Sequence, residues 1–410
     1  MSYSATELLH VYCHHGVKKT LVGRLAFKDR RILFEYAPEF MSSGIELSPF
    51  KLPLRQGVQI CDDMMFDGLF GLFNDSLPDG WGRLLLDRTV EAHGINRRQL
   101  NPLDRLAYVG HGGMGALSYA PDLSETTGDN PPLLLDKLAE EARIVLEGEG
   151  EIVIEELLRL NGSSSGARPK IVAQVSENRK TIIHGKEALD DGFEHWMIKF
   201  ASSTDPKDIG AIEYAYGLMA QEAGIEMPDT HLFPQAGGVG YFGVKRFDRI
   251  KNRRVHMHSL CGLIHADHQT PSLDYETVLK VTQVLTKNMV EVTKAFRLAC
   301  FNVFAHNRDD HSKNFSYILN SANEWQLAPA YDLTFSYGPA GEHSTMVMGE
   351  GKSPDQSHLI ALADKFGMRK SLALEIVDEV RASIANWTTH ASAAGVTVKS
   401  TKEVAGVIFG

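Results

Sequence analysis

The last third of the chain contains a polar segment whose residue types and spacing suit phosphoryl transfer. Asp309 precedes Asn314 by five residues, and Asp332 follows Asn314 by 18 residues. The Asp-x-x-x-x-Asn spacing is that of the protein-kinase catalytic loop, in which the aspartate accepts the proton of the substrate hydroxyl. Magnesium prefers hard oxygen ligands and often binds through one or two carboxylates together with substrate phosphates. We therefore predict that Asp309 is the base and that Asn314 and Asp332 hold the metal.

Two predicted elements must position these residues. Before the polar segment, apolar residues at helical spacing predict a mostly buried helix; they are Val292, Ala295, Phe296, Ala299, Cys300 and Val303. After it, residues 315–319 and 325–328 have strand character and flank turn residues at 320–324. A hairpin of these strands would place Asn314 beside Asp332. The alternative is a solvated polar loop that caps a helix, which explains one such aspartate more easily than all three residues.

A loop rich in serine and glycine lies further upstream and is a candidate phosphate site. Residues 163–170 have the sequence SSSGARPK and lead into an apolar strand. Small residues around Gly166 let backbone N–H groups turn toward one anion, while Arg168 and Lys170 add positive charge. A flexible linker is the alternative, but the position between two ordered elements favours a phosphate loop.

A single lysine interrupts the apolar strand 195–200. If Lys199 is buried it needs an anionic partner, and a nucleotide phosphate or a carboxylate would serve. The alternative places Lys199 on the solvent face of an edge strand. An apolar stripe then predicts a helix over 209–223. Its Glu213 is either the partner of Lys199, as in protein kinases, or an ordinary surface residue.

The order of these elements is that of a bilobal kinase. The serine loop is followed by a strand, the strand that contains Lys199 and the helix 209–223. The next strand covers 241–247, and its residues Lys245 to Phe247 would connect the two lobes. From Tyr275 onward the apolar spacing is helical, whereas residues 1 to about 60 have the alternation of strands. The predicted fold class is therefore α+β.

Between the strand-rich start and the serine loop, two segments stand out. Asp79 or Ser76 is expected to cap a helix that carries the leucines at 84–86. The glycine-rich turn at 111–116 is a weak signal, because flexible corners outnumber ligand loops. A polar stretch near residues 124–132 is a plausible domain boundary.

Composition restricts the function classes. A chain of 410 residues suits about two to three domains. The net charge of −10 argues against broad affinity for nucleic acid, which needs a basic face. The four cysteines are far apart and lack metal-ligand spacing, which is typical of reduced thiols in a cytosolic protein. No signal sequence or apolar run of membrane length is evident, so we expect a cytoplasmic protein with no membrane partner.

Seven stretches resemble, in order, the HipA family of serine/threonine kinase toxins from bacterial type II toxin–antitoxin modules. They are NDSLPDGWGRLLLDR (74–88), GHGGMGALSY (110–119), SSSGARPK (163–170), WMIKF (196–200), GVKRFDR (243–249), NRDDHSKNFS (307–316) and APAYDL (328–333). Seven matches in family order are far more specific than any one motif.

The resemblance implies a bilobal protein-kinase-like fold with a β-rich N-terminal subdomain and an α-rich C-terminal lobe. It divides the chain into a HipA-type N-terminal subdomain (1–125), a kinase N-lobe with the phosphate loop (126–250) and an α-helical C-lobe with the catalytic loop (251–410). ATP and Mg²⁺ are expected in the cleft between the lobes.

Carried over position by position, the family's functional residues fall within these stretches. Asp309 matches the catalytic base, and Asn314 and Asp332 match the metal ligands. The nucleotide-binding positions are Ser163, Ser164, Ser165, Gly166, Ala167, Arg168 and Lys170 of the phosphate loop, Lys199 at the phosphates, Lys245 and Phe247 whose backbone meets adenine, and the further contacts Asp248 and His311. A phosphate-loop serine is autophosphorylated in the family, which expels the loop and silences the enzyme. Ser163 is best placed and Ser164 next, but three consecutive serines leave that assignment open.

The resemblance also implies a biological role. Family members phosphorylate an aminoacyl-tRNA synthetase, glutamyl-tRNA synthetase in the best-known case, and so stall translation. A HipB-like helix-turn-helix antitoxin restrains them and binds operator DNA, which the toxin reaches only through that complex. One departure is local: Asp310 stands where a glycine is common before the histidine. A second acid beside the base either alters metal or substrate preference or is a neutral neighbour.

Two other functions stay open. The same loop chemistry would serve a phosphotransferase that acts on a small-molecule hydroxyl. The other is a catalytically silenced chain that acts as co-repressor with a DNA-binding antitoxin. The complete set of Asp309, Asn314 and Asp332 argues against an inactive kinase, although permanent phosphorylation of a loop serine would mimic one.

Overall fold

The computed structural model describes residues 3–14, 18–124, 132–148, 154–161, 166–185 and 188–410. The chain divides into two compact units. The first comprises Met1–Asp205, Gly243–His258 and Gly262–His265, and the second comprises Pro206–Phe242, Ser259–Cys261 and Ala266–Gly410. The chain passes between them more than once, so neither unit is one continuous stretch. The predicted three-part division at residues 125 and 250 stays a prediction.

The strands, in chain order, are short. They are β1 (Leu8–Cys13), β2 (Thr20–Lys28), β3 (Arg31–Tyr36), β4 (Val58–Ile60), β5 (Leu117–Ala120), β6 (Lys170–Ser176), β7 (Ile182–His184), β8 (Phe193–Lys199), β9 (Thr230–Phe233), β10 (Tyr241–Lys245), β11 (Arg249–Ile250), β12 (Arg253–Arg254), β13 (His256–Ser259), β14 (Leu273–Asp274), β15 (Ser316–Leu319), β16 (Trp325–Leu327) and β17 (Thr345–Met346).

The helices concentrate in the second half of the chain. They are α1 (Pro38–Met41), α2 (Gly71–Asn74), α3 (Gly80–Ala92), α4 (Pro102–Val109), α5 (Leu135–Leu146), α6 (Ile154–Asn161), α7 (Ile209–Glu222), α8 (Leu260–Ile264), α9 (Tyr275–Thr286), α10 (Met289–Phe304), α11 (Gln356–Lys365), α12 (Lys370–Ala385), α13 (Trp387–Ala394) and α14 (Val398–Ile408).

The first unit begins with an antiparallel sheet in the strand order β4-β3-β2-β1-β5. Every second residue of β1 and β3 is buried, as expected for strands with one face on a core. Phe34 lies at the centre of this core, and its ring packs edge-on against Tyr36 with 4.8 Å between centroids. Phe73 of α2 adds a third ring 5.0 Å from Phe34. The strand-rich start predicted from the sequence is therefore confirmed.

A second sheet of the first unit carries all three lysines of the candidate site, Lys170, Lys199 and Lys245. β6 pairs with β7 and β8, and β8 pairs in turn with residues 243–245 of β10, all antiparallel. Because β8 has a partner on each side, Lys199 does not lie on an edge strand. Only 8% of Lys199 is exposed. The solvent-face alternative for this lysine is therefore wrong.

The second unit is built around α10, which packs against α9 and α12. All six residues of its predicted apolar stripe are buried. α7 packs on α12 and α13 through Tyr216, whose ring lies 5.5 Å from that of Trp387. The predicted helix at 209–223 is confirmed to within one residue. Glu213 on α7 is 3% exposed, so the surface alternative for this glutamate is wrong.

Three smaller predictions can be compared with the structure. Asp79 stands at the N-cap position of α3, but its side chain makes no capping hydrogen bond, which corrects the expected role.

All four cysteines fall within the described residues; they are buried and form no disulfide. Across the described ranges, none of the helices combines the length and apolar character needed to cross a bilayer.

Candidate active site

The polar segment begins where α10 ends. Asn288 caps the start of this helix through a hydrogen bond to the Val290 N–H, and Ala305 closes its end. The Tyr216 hydroxyl donates to the Ala305 carbonyl over 2.6 Å, which fixes the last turn. His306 then adopts a φ of +53°, a left-handed conformation that turns the chain out of the helix. The helix therefore delivers the catalytic-loop residues from a rigid base.

The hairpin of β15 and β16 is present as the sequence predicts. Tyr317 lies opposite Leu327 and Leu319 opposite Trp325. The Ala328 N–H donates to the Ser316 carbonyl over 2.9 Å and continues the ladder toward the open end of the hairpin. Residues just before β15 and just after β16 consequently come together.

A tyrosine joins the two ends of this hairpin directly. The Tyr331 hydroxyl donates to the Lys313 carbonyl over 2.6 Å and also contacts the Ser316 hydroxyl. Tyr331 is the residue before Asp332, and Lys313 is the residue before Asn314. The two candidate metal ligands therefore follow two residues that are hydrogen-bonded to each other.

Asp332 has a left-handed backbone conformation. Its φ is +57°, in the left-handed region that non-glycine residues rarely occupy. Residues held in sparsely populated conformations cluster at functional sites, where the surrounding structure keeps them in place. The conformation supports a functional role for this carboxylate.

Asp309 is the exposed acid of the loop. Its side chain is 57% exposed, and its Oδ1 lies 4.0 Å from His311 Nε2. The Asn314 side-chain amide donates through Nδ2 to the Asp309 carbonyl over 2.7 Å. This bond closes the loop 309–314 and occupies the amide nitrogen, so Oδ1 is the atom of Asn314 that would serve as a metal ligand.

The segment after Asp332 packs back onto the start of the loop. The Ser336 N–H donates to the His306 carbonyl, and His306 Nδ1 donates to the Ser336 carbonyl, both over 3.1 Å. The His306 ring also stacks on Phe335 with 5.5 Å between centroids and an interplanar angle of 22°. Burial and the nearby Arg308 guanidinium lower the pKa of His306, which favours its neutral form. Residues 306 and 335–336 thus form a second junction beside the hairpin.

In the first unit, the described end of the serine loop is held by the start of α3. The Gly166 N–H donates to the Asp79 carboxylate, and the Trp81 N–H donates to the Gly166 carbonyl over 3.1 Å. Gly80 has a φ of +43°, and a Cβ there would lie 2.6 Å from the Gly166 carbonyl oxygen. Ser163, Ser164 and Ser165 lie outside the described residues.

Two buried lysines face each other next to Gly166. Lys170 on β6 lies directly opposite Lys199 on β8, and they are 3% and 8% exposed. A Cβ at Gly166 would collide with the Lys170 ammonium group, so this cation lies against the loop. Each lysine carries a positive charge, and the two charges together would attract an anion placed beside them. The arrangement suits a phosphate.

The other positions predicted to bind the nucleotide have different surroundings. Arg168 forms an ion pair with Asp205, with 3.0 Å between Nη2 and Oδ1, so its charge is already balanced in part. Ala167 is exposed. Lys245 pairs with Glu194 at 2.5 Å, which leaves the backbone of this residue as the part suited to adenine. Phe247 is half-buried.

Asp248 is buried in a network of its own. Its carboxylate accepts from Arg246 over 2.7 and 2.9 Å, from Arg249 over 2.7 Å and from the Gly115 N–H over 2.8 Å. Burial raises the pKa of this carboxyl, but the two guanidinium groups outweigh it and hold the pKa well below its usual range. Arg249 also donates to the Gly113 carbonyl over 2.8 Å. The glycine-rich turn is therefore a corner fixed by Asp248 and Arg249.

The sequence did not predict the contacts that three residues make at the site. Tyr331 joins the hairpin ends, Asp79 holds Gly166, and Asp310 faces the protein interior beside the exposed Asp309. All three stand in stretches that resemble the family. Their distant partners could not be read from residue type or spacing, because each contact joins residues far apart in sequence.

Comparisons with known proteins show the family to which the chain belongs. The family model described as the HipA N-terminal domain matches residues 11–120, and the one described as the HipA-like C-terminal domain matches residues 162–388, more than half of the chain. The chain belongs to the HipA family. The resemblance predicted from seven sequence stretches is thereby confirmed.

Individual relatives extend this assignment. A protein of Sinorhizobium fredii named as a proposed kinase, Y4mE, is 25% identical over 345 residues, which span 79% of this chain and 72% of that protein. A protein of Haemophilus influenzae, also named as a proposed kinase, is 28% identical over 136 residues, 30% of this chain and 39% of that protein.

A solved structure shows the fold. HipA in a complex of the Shewanella oneidensis MR-1 toxin–antitoxin system with HipB and operator DNA matches with a TM-score of 0.69 at 18% identity, over 98% of this chain and 95% of that one. The predicted α+β, bilobal kinase-like fold is confirmed.

Proposed function

We propose that this HipA-family protein is an ATP- and Mg²⁺-dependent serine/threonine protein kinase. The observation that carries the proposal is the junction of Tyr331 with Lys313, which brings the chain at Asp332 to the chain at Asn314 beside the exposed Asp309. The kinase names of two relatives support the reaction class.

The donor set at the hairpin fits magnesium. Asp332 offers a carboxylate, and Asn314 offers an amide oxygen because its nitrogen donates to the Asp309 carbonyl. One or two protein oxygens together with phosphate oxygens are a usual environment for this ion. When bound, magnesium would neutralise charge on the phosphates. Asp332 stands five residues after β16, where its backbone is left-handed.

Asp309 would orient the substrate hydroxyl and accept its proton. The side chain is exposed, whereas its backbone carbonyl accepts a hydrogen bond from Asn314, so an exposed carboxylate stands on a loop that this bond closes. In phosphoryl transfer, positioning and electrostatic stabilisation do most of the work. A base of this kind is typically worth about 10²–10⁴ in rate.

The lysine pair of the first unit would bind phosphate. Lys170 and Lys199 are buried on adjacent strands, and Lys170 lies against Gly166, whose N–H is held by Asp79. The oxygens of a phosphoryl group would accept charge-assisted hydrogen bonds from both ammonium groups. Autophosphorylation at one of Ser163, Ser164 and Ser165 follows from the family resemblance and belongs to this proposal.

The biological role is proposed on the same basis. The HipA structure that shares this fold is a complex with HipB and operator DNA, which favours a HipB-like helix-turn-helix antitoxin as the partner here. The net charge of −10 fits a chain that reaches DNA only through such a partner. An aminoacyl-tRNA synthetase or another translation protein in the cytoplasm is the proposed substrate.

The test is phosphoryl transfer from labelled ATP by wild type and Asp309→Asn. Both proteins are first treated with a phosphatase, so that a modified loop serine does not mask activity. The wild type is expected to label itself and one member of a panel of purified aminoacyl-tRNA synthetases. Asp309→Asn should transfer phosphate about 10²–10⁴-fold more slowly than wild type, and its circular dichroism spectrum should be unchanged. Equal rates in the two proteins, or no transfer by wild type, would contradict the proposal.

A further inference from the structure

Two consecutive aspartates of the catalytic loop face opposite ways. The Asp309 side chain is 57% exposed, whereas that of Asp310 is fully buried. A buried carboxylate is costly unless hydrogen bonds or opposite charges compensate for the lost water. The position of Asp310 is therefore determined by what surrounds it.

Three donors compensate for that burial. The Tyr275 hydroxyl donates to Asp310 Oδ2 over 2.8 Å, His343 Nδ1 donates to the same oxygen over 2.9 Å, and the Thr345 N–H donates to Oδ1 over 3.1 Å. The Thr345 hydroxyl also donates to the backbone carbonyl of Asp310. Side chain and backbone of Asp310 are thus both tied to the segment 343–345.

The network continues into the helices under the loop. Asn302 on α10 donates through Nδ2 to the Tyr275 hydroxyl over 2.8 Å, and Asn307 donates to Asn302 Oδ1 over 2.9 Å. Tyr275 is the first residue of α9. A continuous chain of hydrogen bonds therefore runs from Asn307 through both helices to Asp310 and His343.

The same strip of chain is fastened at the neighbouring residue. Ser344 donates through its N–H and through its hydroxyl to the Arg308 carbonyl, each over 3.1 Å. Arg308 in turn donates to the Lys352 carbonyl over 2.9 Å. The residues on either side of Asp309, Arg308 and Asp310, are therefore both hydrogen-bonded to the segment 343–345.

We propose that Asp310 is a positioning residue, which locks the loop 308–310 to the segment 343–345 and so fixes the direction of Asp309. This inference rests on the proposed kinase function. With its carboxylate committed to three donors, Asp310 does not set metal preference, and it is not a neutral neighbour. A misplacement of about 1 Å at a reacting group can cost about 10²-fold in rate, which is the scale of effect that such a lock controls.

The test uses Asp310→Asn, which keeps the size but turns one acceptor into a donor, with two variants of its partner. His343→Asn places an amide N–H near the position of the histidine Nδ1, whereas His343→Leu removes the donor. The control is Asp355→Asn, because Asp355 forms an exposed pair with His358 at 2.7 Å in the helix cap of α11. This control removes the negative charge of an aspartate–histidine pair in the same unit, outside the segments 308–310 and 343–345.

Steady-state kinetics well below each melting temperature give the first readout. Asp310→Asn and His343→Leu are expected to lower kcat about 10- to 100-fold with KM for ATP within about twofold. His343→Asn should recover most of the kcat lost in His343→Leu, and Asp355→Asn should equal wild type. A lower melting temperature with unchanged kcat in Asp310→Asn and His343→Leu would make Asp310 an ordinary structural residue and overturn the proposal.

Amide hydrogen exchange on the apo protein gives a readout that does not depend on activity. Exchange should become faster over 305–314 and 341–347 in Asp310→Asn, and unchanged exchange there would overturn the positioning role. If wild type transfers no phosphate at all, the kinase function fails, while the exchange result still decides whether Asp310 joins the two segments.

Discussion

The Tyr331 hydroxyl donates a 2.6 Å hydrogen bond to the Lys313 carbonyl, across 18 positions of sequence. Each of these residues is followed by a candidate magnesium ligand, Asp332 and Asn314. The hairpin between them determines only approximately how far apart its two ends lie. The tyrosine then fixes the final separation, so one hydroxyl links the hairpin geometry to the proposed metal site.

Tyr331→Phe should therefore weaken magnesium-dependent nucleotide binding. The substitution keeps the ring but removes the donor to Lys313 and the contact with Ser316. A lost hydrogen bond with an unsatisfied partner costs about 1–3 kcal/mol. We expect ADP affinity in the presence of Mg²⁺ to fall about 3- to 10-fold by calorimetry, with little change in EDTA.

Tyr317→Phe is the matched control. Tyr317 lies on β15 of the same hairpin, but its hydroxyl contacts the Thr282 hydroxyl of α9 at 2.8 Å. This variant should lose similar stability and keep magnesium-dependent binding. If both variants bind the nucleotide equally well, the Tyr331 bond does not shape the site.

Local pattern and short-range pairing made much of this architecture predictable. The apolar stripe of α10 specifies a buried helix by its period, and the turn chemistry at 320–324 specifies the hairpin. Together these two elements predict that Asn314 and Asp332 approach each other. The family resemblance predicted the fold, which the comparisons confirm.

Contacts between distant residues could not be predicted in the same way. A loop has no periodicity from which to predict which of two neighbouring aspartates, Asp309 or Asp310, is buried. The outcome depends on donors that are distant in sequence, namely Tyr275, His343 and Thr345. The capping role expected of Asp79 was wrong because its carboxylate accepts from Gly166, 87 positions away. Sheet order likewise decided that Lys199 is buried rather than on an edge.

Gly80→Ala should disturb the phosphate loop. The backbone φ of +43° disfavours a side chain, and a Cβ would lie 2.6 Å from the Gly166 carbonyl oxygen and 2.8 Å from Ala167 Cα. The contact would push Gly166 away from Asp79 and from Lys170. We expect KM for ATP to rise about 10-fold or more in a labelled-ATP assay, which corresponds to about 1.4 kcal/mol of lost binding.

Gly94→Ala separates this effect from backbone strain alone. Gly94 follows α3, has a φ of +75° and would have no atom within 4 Å of an added Cβ. A substitution where φ is positive destabilises the fold by about 1 kcal/mol, so the melting temperature should fall while KM stays near wild type. A similar rise of KM in both variants would mean that the contact with Gly166 is not responsible.

His195 on β8 should make stability depend on pH. Burial, together with the charges of Arg246 and Arg249, lowers the pKa of His195 to about 4. The unfolded chain takes up this proton near pH 6.5, so it binds more protons than the folded protein at intermediate pH. Stability is therefore complete above about pH 6.5 and declines as the pH falls toward 4, by about 2 kcal/mol between pH 7 and 5.

Urea unfolding at the two pH values measures this decline. His195→Gln removes the titrating group, so the variant should lose about 2 kcal/mol less than wild type between pH 7 and 5. An equal loss in both proteins would show that other groups cause the acid sensitivity.

The most direct measurement is the affinity for Mn²⁺ in the presence of a non-hydrolysable ATP analogue, followed by electron paramagnetic resonance, for wild type, Asn314→Ala and Asp332→Asn. Mn²⁺ replaces Mg²⁺ because both prefer oxygen ligands. If Asn314 and Asp332 hold one ion, each variant should bind Mn²⁺ at least about 10-fold more weakly while its melting temperature changes little. Wild-type affinity in both variants would contradict the shared metal site.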